Sequence, residues 1–498
     1  MQVTNENNKK VLKELPSPKN VFEYFLALCE IPRCSGNMKG IRDALVKFGE
    51  EKEIETKVDE IGNVLFRKPG TKGLEDKPSV CLQVHMDMVG TKDEGLNFNF
   101  ETDPIQTKIE NGWLTAEGTT LGADNGIGIA FGLAVLTEEF EHGPIELLCT
   151  VDEETTMEGA FKVETEDFIK SKFMINVDSE EDAAICFGSA GGFERIFKLP
   201  LERIEKIPEG CTQVNLYLHE LLGGHTGVQI HENRANANKW MIRMLLAATS
   251  TEFLISSYTG GHAKNAIPSS CKVSVLVEEE KADKFMDLIQ EMHGKLMEEF
   301  FVIETKGVVL EIEAAKPTAE GALTIESTVQ MLDFIHAIPH GVMRMSPEVE
   351  GLVESSQSVS IVKIVENALE ILVFARSSSY SQLKILDQQL GSIASLSGAE
   401  YIKKDGSDFP PWEPMLRDNL LLESMKTAFK KIYKKEPHCY AIHAGLECSI
   451  IQDKYDGMIP LSIGPTITDP HSPQEKLEIS TVETCYKLLK ETLVTIAK

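Results

Sequence analysis

The sequence lacks any apolar run approaching the roughly 18 uninterrupted residues that a membrane-spanning helix needs, so no transmembrane segment is expected. It is also short of positive charge. Only 50 basic residues face 78 acidic ones, and the formal net charge of −28 argues against a nucleic-acid surface and against docking on anionic lipid. The ten cysteines are dispersed and include no C-x-x-C pair. A chain of 498 residues needs no disulfide staples, so reduced thiols in a cytoplasmic protein are expected. Residues 1–10 have no apolar stretch behind their positive charges, which does not fit a secretion signal.

What is present is an ordinary globular composition, 42% hydrophobic and 26% charged, in a chain too long for one core; at least two domains are expected. Helical spacing of Val21, Phe22, Phe25 and Leu26, and again of Ile41, Leu45, Val46 and Phe48, predicts two amphipathic helices. Beyond them, apolar runs that end in polar groups recur. Residues 79–88 read as a strand ending on His85-Met86-Asp87, residues 145–154 as a strand ending on Asp152-Glu153-Glu154, and residues 173–178 as a third ending on Asp178. Ligands bind at the carboxyl ends of strands in α/β sheets, and each of these strands delivers a metal-competent or acidic group there. Between them, Asp124 lies among glycines at the opening of a helix, a setting that suits an N-cap as well as a ligand.

After about residue 193 the pattern becomes that of sheet with covering helices, and its order repeats. The expected fold is α/β, a central, mostly parallel sheet with helices on both faces, carrying an inserted α+β lid domain. The catalytic domain is expected over residues 1–204 and 406–498. The lid is expected over 205–405, as two tandem sheet-helix repeats at 205–304 and 305–405.

His85, Asp124, Glu154, Asp178 and the late His471 together make a donor set of three carboxylates and two imidazoles. Two divalent zinc ions carry four positive charges; three carboxylates and a bridging hydroxide balance them with both imidazoles neutral. If Asp124 bridges, His85 with Asp178 completes one tetrahedral site and Glu154 with His471 the other. Asp87, two residues beyond His85 in an extended chain, can accept the second ring N–H and fix the tautomer. Glu153, beside a ligand but not spent as one, suits a general acid/base.

These motifs, with Gly122-Ala123-Asp124-Asn125-Gly126 and Asn176-Val177-Asp178-Ser179, resemble those of the dinuclear-zinc aminoacylase, carboxypeptidase and dipeptidase superfamily. More closely, residues 82–89, His443-Ala444-Gly445-Leu446-Glu447-Cys448 and the doubled lid are similar to the aminoacyl-histidine dipeptidase branch. The resemblance runs from about Ile31 to the C-terminus. It implies two zinc ions per chain, with manganese or cobalt as substitutes, held by His85 and Asp178, by Glu154 and His471, and by Asp124 between them. It implies Asp87 as the orienter of His85 and Glu153 as the base. His225, in Gly223-Gly224-His225-Thr226-Gly227, matches a lid histidine that polarises the scissile carbonyl. Asn265 and Arg376 resemble groups that bind the tetrahedral intermediate and the substrate carboxylate, and His443 and Glu447 are placed at the substrate's amino end. Thr156 and Cys34 depart from the family pattern, where Gly and Pro are usual, but neither is a proposed ligand.

The expected function is hydrolysis of unblocked dipeptides, with a preference for Xaa-His substrates such as carnosine, by a monomer or homodimer. An aminoacylase or carboxypeptidase acting on N-acyl amino acids is the alternative within the enzyme class. A metal-stabilised peptide-binding protein is the alternative outside it, although such proteins commonly lose a ligand or the base, and all are present here.

Overall fold

The computed structural model describes residues 1–318, 321–404, 406–415 and 419–498, and it divides into two compact units. The first comprises Met1–Gly188, Pro414–Ala441 and Leu446–Lys498; the second comprises Ser189–Glu413 with Ile442–Gly445. Among the described residues, no helix is long and apolar enough to cross a membrane.

The first unit is built on an eight-stranded sheet. Its four central strands, in the order Ile145–Thr150, Val80–His85, Phe173–Asn176 and Ile459–Ser462, run parallel. Every residue of Val80–His85 and of Ile145–Thr150 is buried, whichever face its side chain takes, so both faces of the sheet are covered there. This explains the unbroken apolar runs in the sequence, where a half-exposed strand would alternate. The helix Ala123–Thr137 is apolar almost all round and packs on Val80–His85. Gly132 lets it come close, since a Cβ there would meet Leu147 Cδ1 at 2.5 Å. Because Ile145–Thr150, Val80–His85 and Phe173–Asn176 are parallel neighbours, their carboxyl ends emerge side by side.

Among its described residues, the second unit contains one large antiparallel sheet and four long helices, Ala237–Ala247, Glu279–Phe300, Ile325–Ala337 and Tyr380–Ser397. Two half-sheets meet where Leu254–Gly260 pairs with Val353–Val365, at Thr259↔Lys363 and Gly260↔Val362. The halves do not follow the expected tandem division. Val309–Ala315 pairs with Cys211–His219 of the first half, and Gly191–Pro200, which precedes residue 205, lies between Ala368–Ser377 and Glu400–Lys403 of the second. Each half thus takes an edge or inner strand from outside its own stretch of chain. The unit accordingly begins at Ser189 and ends at Glu413, beyond the boundaries expected near 205 and 405.

Candidate metal centre

The carboxyl ends of the three parallel strands place the donors within the first unit. His85 is the last residue of its strand and is 1% exposed. Asp178 follows Phe173–Asn176 by two residues, and Glu153 and Glu154 open the short helix Glu153–Thr156 after Ile145–Thr150. Asp124 sits in the first turn of Ala123–Thr137 behind Gly122, whose left-handed φ of +70° turns the chain into the site.

The Asp124 carboxylate divides the cluster. Its Oδ1 lies 2.9 Å from His85 Nε2, which is also 3.3 Å from Asp178 Oδ1. Its Oδ2 lies 3.2 Å from His471 Nε2, which in turn is 2.9 Å from Glu154 Oε2. His85, Asp124 and Glu154 offer donor atoms all within 4.8 Å of one another. The five sequence-chosen donors therefore meet as two half-sites sharing one carboxylate. The buried Glu154 Oε1 has no hydrogen-bond partner among the described residues.

Three acids gathered in one buried place demand cations. Burial opposes a charge on His85, yet Asp178, Asp124 and Asp87 outweigh it and raise its pKa well above the imidazole value. Hydrogen bonds to Asp124 and Glu154 raise His471 to about 11. Without a metal, protons on the two imidazoles offset two of the three carboxylate charges; with neutral imidazoles, two divalent ions would be balanced by the three carboxylates and one hydroxide, so the donor set fits such ions.

Asp87 stands 3.3 Å from His85 Nδ1 through its Oδ1. It also accepts from the Glu153 N–H at 3.0 Å, the Glu154 N–H at 3.2 Å and the Ser35 hydroxyl at 2.8 Å. One buried carboxylate thus lies against the ring and holds the segment that carries Glu153 and Glu154. Burial raises the Glu153 carboxyl well above its usual value, and the charges of Asp178, Glu447 and Glu154 add to this.

Other residues escaped the sequence reading. The buried Arg33 guanidinium donates to the carbonyls of Met86, Asp87 and Gly122, holding two ligand turns together. Glu475 accepts the backbone N–H groups of Leu121, Gly122, Ala123 and Asp124. Burial lifts its carboxyl to about 7, against which these N–H donors act. Neither residue announces itself by spacing, because both bind main-chain atoms rather than side chains.

One layer beneath the ligands, buried polar side chains form a belt across the parallel strands. Gln83 donates to Glu447 Oε2 at 2.6 Å and accepts from Asn176 at 2.6 Å, while Ser462 donates to Asn176 at 2.5 Å and Thr150 to Glu447 Oε2 at 2.8 Å. Glu447 is 1% exposed, burial lifts its pKa to about 8, and its Oε1 has no partner among the described residues.

The second unit gathers its own group. The two-stranded ladder of Gly224–His225 with Ala266–Ile267 sets Asn265 beside His225, the Asn265 carbonyl accepting the Thr226 N–H at 2.8 Å. Arg376 Nη2 lies 3.3 Å from His225 Nε2. His443 Nε2 lies 2.7 Å from the hydroxyl of Ser356, the register partner of Arg376, so His443 joins this cluster while Glu447 belongs to the first unit. Burial and the Arg376 charge depress His225 to about 4 and His443 to about 3. The N–H groups of Gly227 and Val228 both donate to His225 Nδ1 at 3.2 Å, which leaves the proton of the neutral ring on Nε2. His225 Nε2–H and Arg376 are then two donors facing one place.

Parallel strands that converge acids and imidazoles on a shared carboxylate, with a spare glutamate alongside, define a metal-dependent hydrolase. The chain belongs to the peptidase family M20/M25/M40, whose model matches residues 81–495. It is 36% identical over 479 residues to the cytosol non-specific dipeptidase of Escherichia coli K12, covering 96% of this chain and 97% of that protein. Its fold matches the crystal structure of aminoacylhistidine dipeptidase from Vibrio alginolyticus with a TM-score of 0.88 and 37% identity over 97% of each chain. Aminopeptidase PepT from Bacillus cereus, at 16% identity and a TM-score of 0.55 over 96% of this chain and 99% of that one, shares the fold.

Proposed function

We propose that the protein is a cytoplasmic dipeptidase that hydrolyses unblocked dipeptides, Xaa-His dipeptides among them, at a centre of two divalent metal ions, zinc in the first place. The observation that carries this reading is the division of Asp124 between His85 and His471. His85 with Asp178 would hold one ion and Glu154 with His471 the other, with Asp124 serving both. Bound ions of this kind supply Lewis-acid polarisation of the scissile carbonyl and make a water acidic enough to attack near neutral pH.

The chain's own groups carry the proton traffic. Glu153 takes the proton of the attacking water and passes it to the leaving amine nitrogen, so that the C–N bond breaks to a free amine rather than an amide anion. Asp87 holds His85 and, through the Glu153 and Glu154 N–H groups, the position of the base.

The same reading assigns substrate contacts. His225 Nε2–H donates to the carbonyl oxygen as charge develops there. Arg376 takes the substrate carboxylate, since its buried Nε has no partner among the described residues and its fork matches two oxygens. Asn265 and His443 flank these donors. Glu447, with a buried oxygen lacking a partner, receives the substrate ammonium.

The test is a panel of unblocked and N-acylated dipeptides, Xaa-His included, offered to zinc-loaded protein and to Glu153→Ala. Cleavage of unblocked members that disappears in the variant and after chelation is the expected result. Two equivalents of bound metal with no cleavage of any member would overturn it.

A further inference from the structure

Glu475 is 2% exposed and makes an unusual set of bonds for a carboxylate. Its Oε2 accepts the N–H of Leu121 at 2.7 Å and of Gly122 at 2.9 Å; its Oε1 accepts the N–H of Ala123 at 2.7 Å and of Asp124 at 3.3 Å. These four consecutive donors lie in the turn that leads into the helix Ala123–Thr137, whose dihedrals are still non-helical at Asp124 and Asn125, so a helical ladder does not take up these N–H groups. Successive N–H groups make a concavity that favours an anion, and here a side chain from the far end of the sequence fills it. The last of the four belongs to Asp124 itself.

Glu475 is also four residues beyond His471, in the same loop. That loop is tied at two further points, the Thr91 hydroxyl donating to the His471 carbonyl at 2.9 Å and the Thr115 hydroxyl to the Glu475 carbonyl at 2.9 Å. We propose that Glu475 is the positioning residue that fastens the Asp124 turn to the His471 loop, and thereby sets the half-site made by Asp124, Glu154 and His471. This rests on the metal-centre reading above.

The two half-sites are built differently. His85 ends a buried strand and Asp178 follows another by two residues, with the Asn125 side chain donating to the Asp178 carboxylate. That half-site is held by the sheet. The other takes its imidazole from an exposed loop residue with a left-handed φ of 60°, and Glu475 is the side chain that ties that loop to the shared carboxylate. Losing the tie therefore loosens two of three ligands on one side and only the shared one on the other.

The test is zinc titration of metal-free protein against a competing chromophoric chelator, for wild type, Glu475→Gln and Glu475→Asp. Wild type is expected to take two equivalents. In Glu475→Gln, which keeps one acceptor oxygen and turns an N–H donor toward N–H donors, one equivalent is expected to bind as before and the other about 10- to 100-fold more weakly. Glu475→Asp keeps the charge on a shorter arm and is expected to fall between. In the zinc-loaded variants kcat should drop while KM for a dipeptide changes little. A helix cap with no further role would lower thermal stability and leave the two affinities unchanged or weaken them alike; either result overturns the proposal. If Glu475→Gln does not fold, Thr115→Val decides, since it releases only the Glu475 carbonyl: a smaller, still one-sided weakening supports the assignment, and none sinks it. Failure of the wild type to take two equivalents would instead refute the metal-centre reading.

Discussion

His225 and Arg376 face each other across 3.3 Å with a hydrogen-bond donor on each side. Two N–H groups on His225 Nδ1 force this, and burial, with the nearby guanidinium adding to it, keeps the ring neutral, with its pKa depressed to about 4. Substrate oxygens brought against them would satisfy both donors. His225→Ala is therefore expected to lower kcat by about 10²- to 10³-fold, the usual cost of an oxyanion donor, with zinc stoichiometry unchanged. Because a lowered histidine pKa means the ring takes up its second proton only below the ordinary range, the neutral donor form persists throughout neutral pH. The kcat profile of wild type should show no limb from this residue between pH 5 and 8, and finding one that His225→Gln removes would contradict the assignment.

Asp87 lies 3.3 Å from His85 Nδ1 and accepts bonds from the start of Glu153–Thr156 at once. Asp87→Asn keeps the shape but turns a donor toward one of these groups. Zinc affinity is expected to fall by about 10- to 100-fold, and kcat at saturating zinc to remain depressed because Glu153 is no longer held. Recovery of full kcat with excess zinc would assign Asp87 to metal retention alone.

Glu447→Gln should discriminate between ends of the substrate. With the carboxyl replaced by an amide that cannot take on a negative charge beside an ammonium, KM for unblocked dipeptides is expected to rise while kcat stays closer to wild type, because the interaction removed is one of binding. An equal rise for N-acylated analogues would show that Glu447 does not receive an ammonium.

Gln83→Leu cuts the polar belt without touching a ligand. It strips Glu447 of one donor and leaves the Asn176 amide without its acceptor, so a loss of about 1–3 kcal/mol in unfolding free energy is expected by denaturant titration. A variant as stable as wild type would mean that water or a neighbour replaces the amide.

The legible parts of this protein are those in which burial and chemistry coincide along the chain. Val80–His85, Ile145–Thr150 and Phe173–Asn176 are apolar because both faces of the sheet are covered, and they end in polar groups because the site begins there; one pattern reports both facts. The second unit is harder. Val309–Ala315 alternates as a strand should, but nothing local says that it pairs with Cys211–His219, almost a hundred residues earlier, rather than with its sequence neighbours. Gly191–Pro200 likewise joins strands far along the chain. His443 reads like a companion of Glu447, four residues away, until Ser356 is seen to hold it beside Arg376. Glu475 and Arg33 are invisible to motif reasoning because their partners are peptide groups, which every residue has.

The strand Val80–His85 is at once in the middle of the sheet and the carrier of His85, so damage to the surroundings of that proposed ligand threatens the whole domain. His471 sits on a loop outside that sheet, with its side chain half-exposed. Descendants of this fold that abandon chemistry while keeping their shape would accordingly be expected to shed the histidine at 471 long before the one at 85. An inventory of inactive relatives can be read for that order of loss.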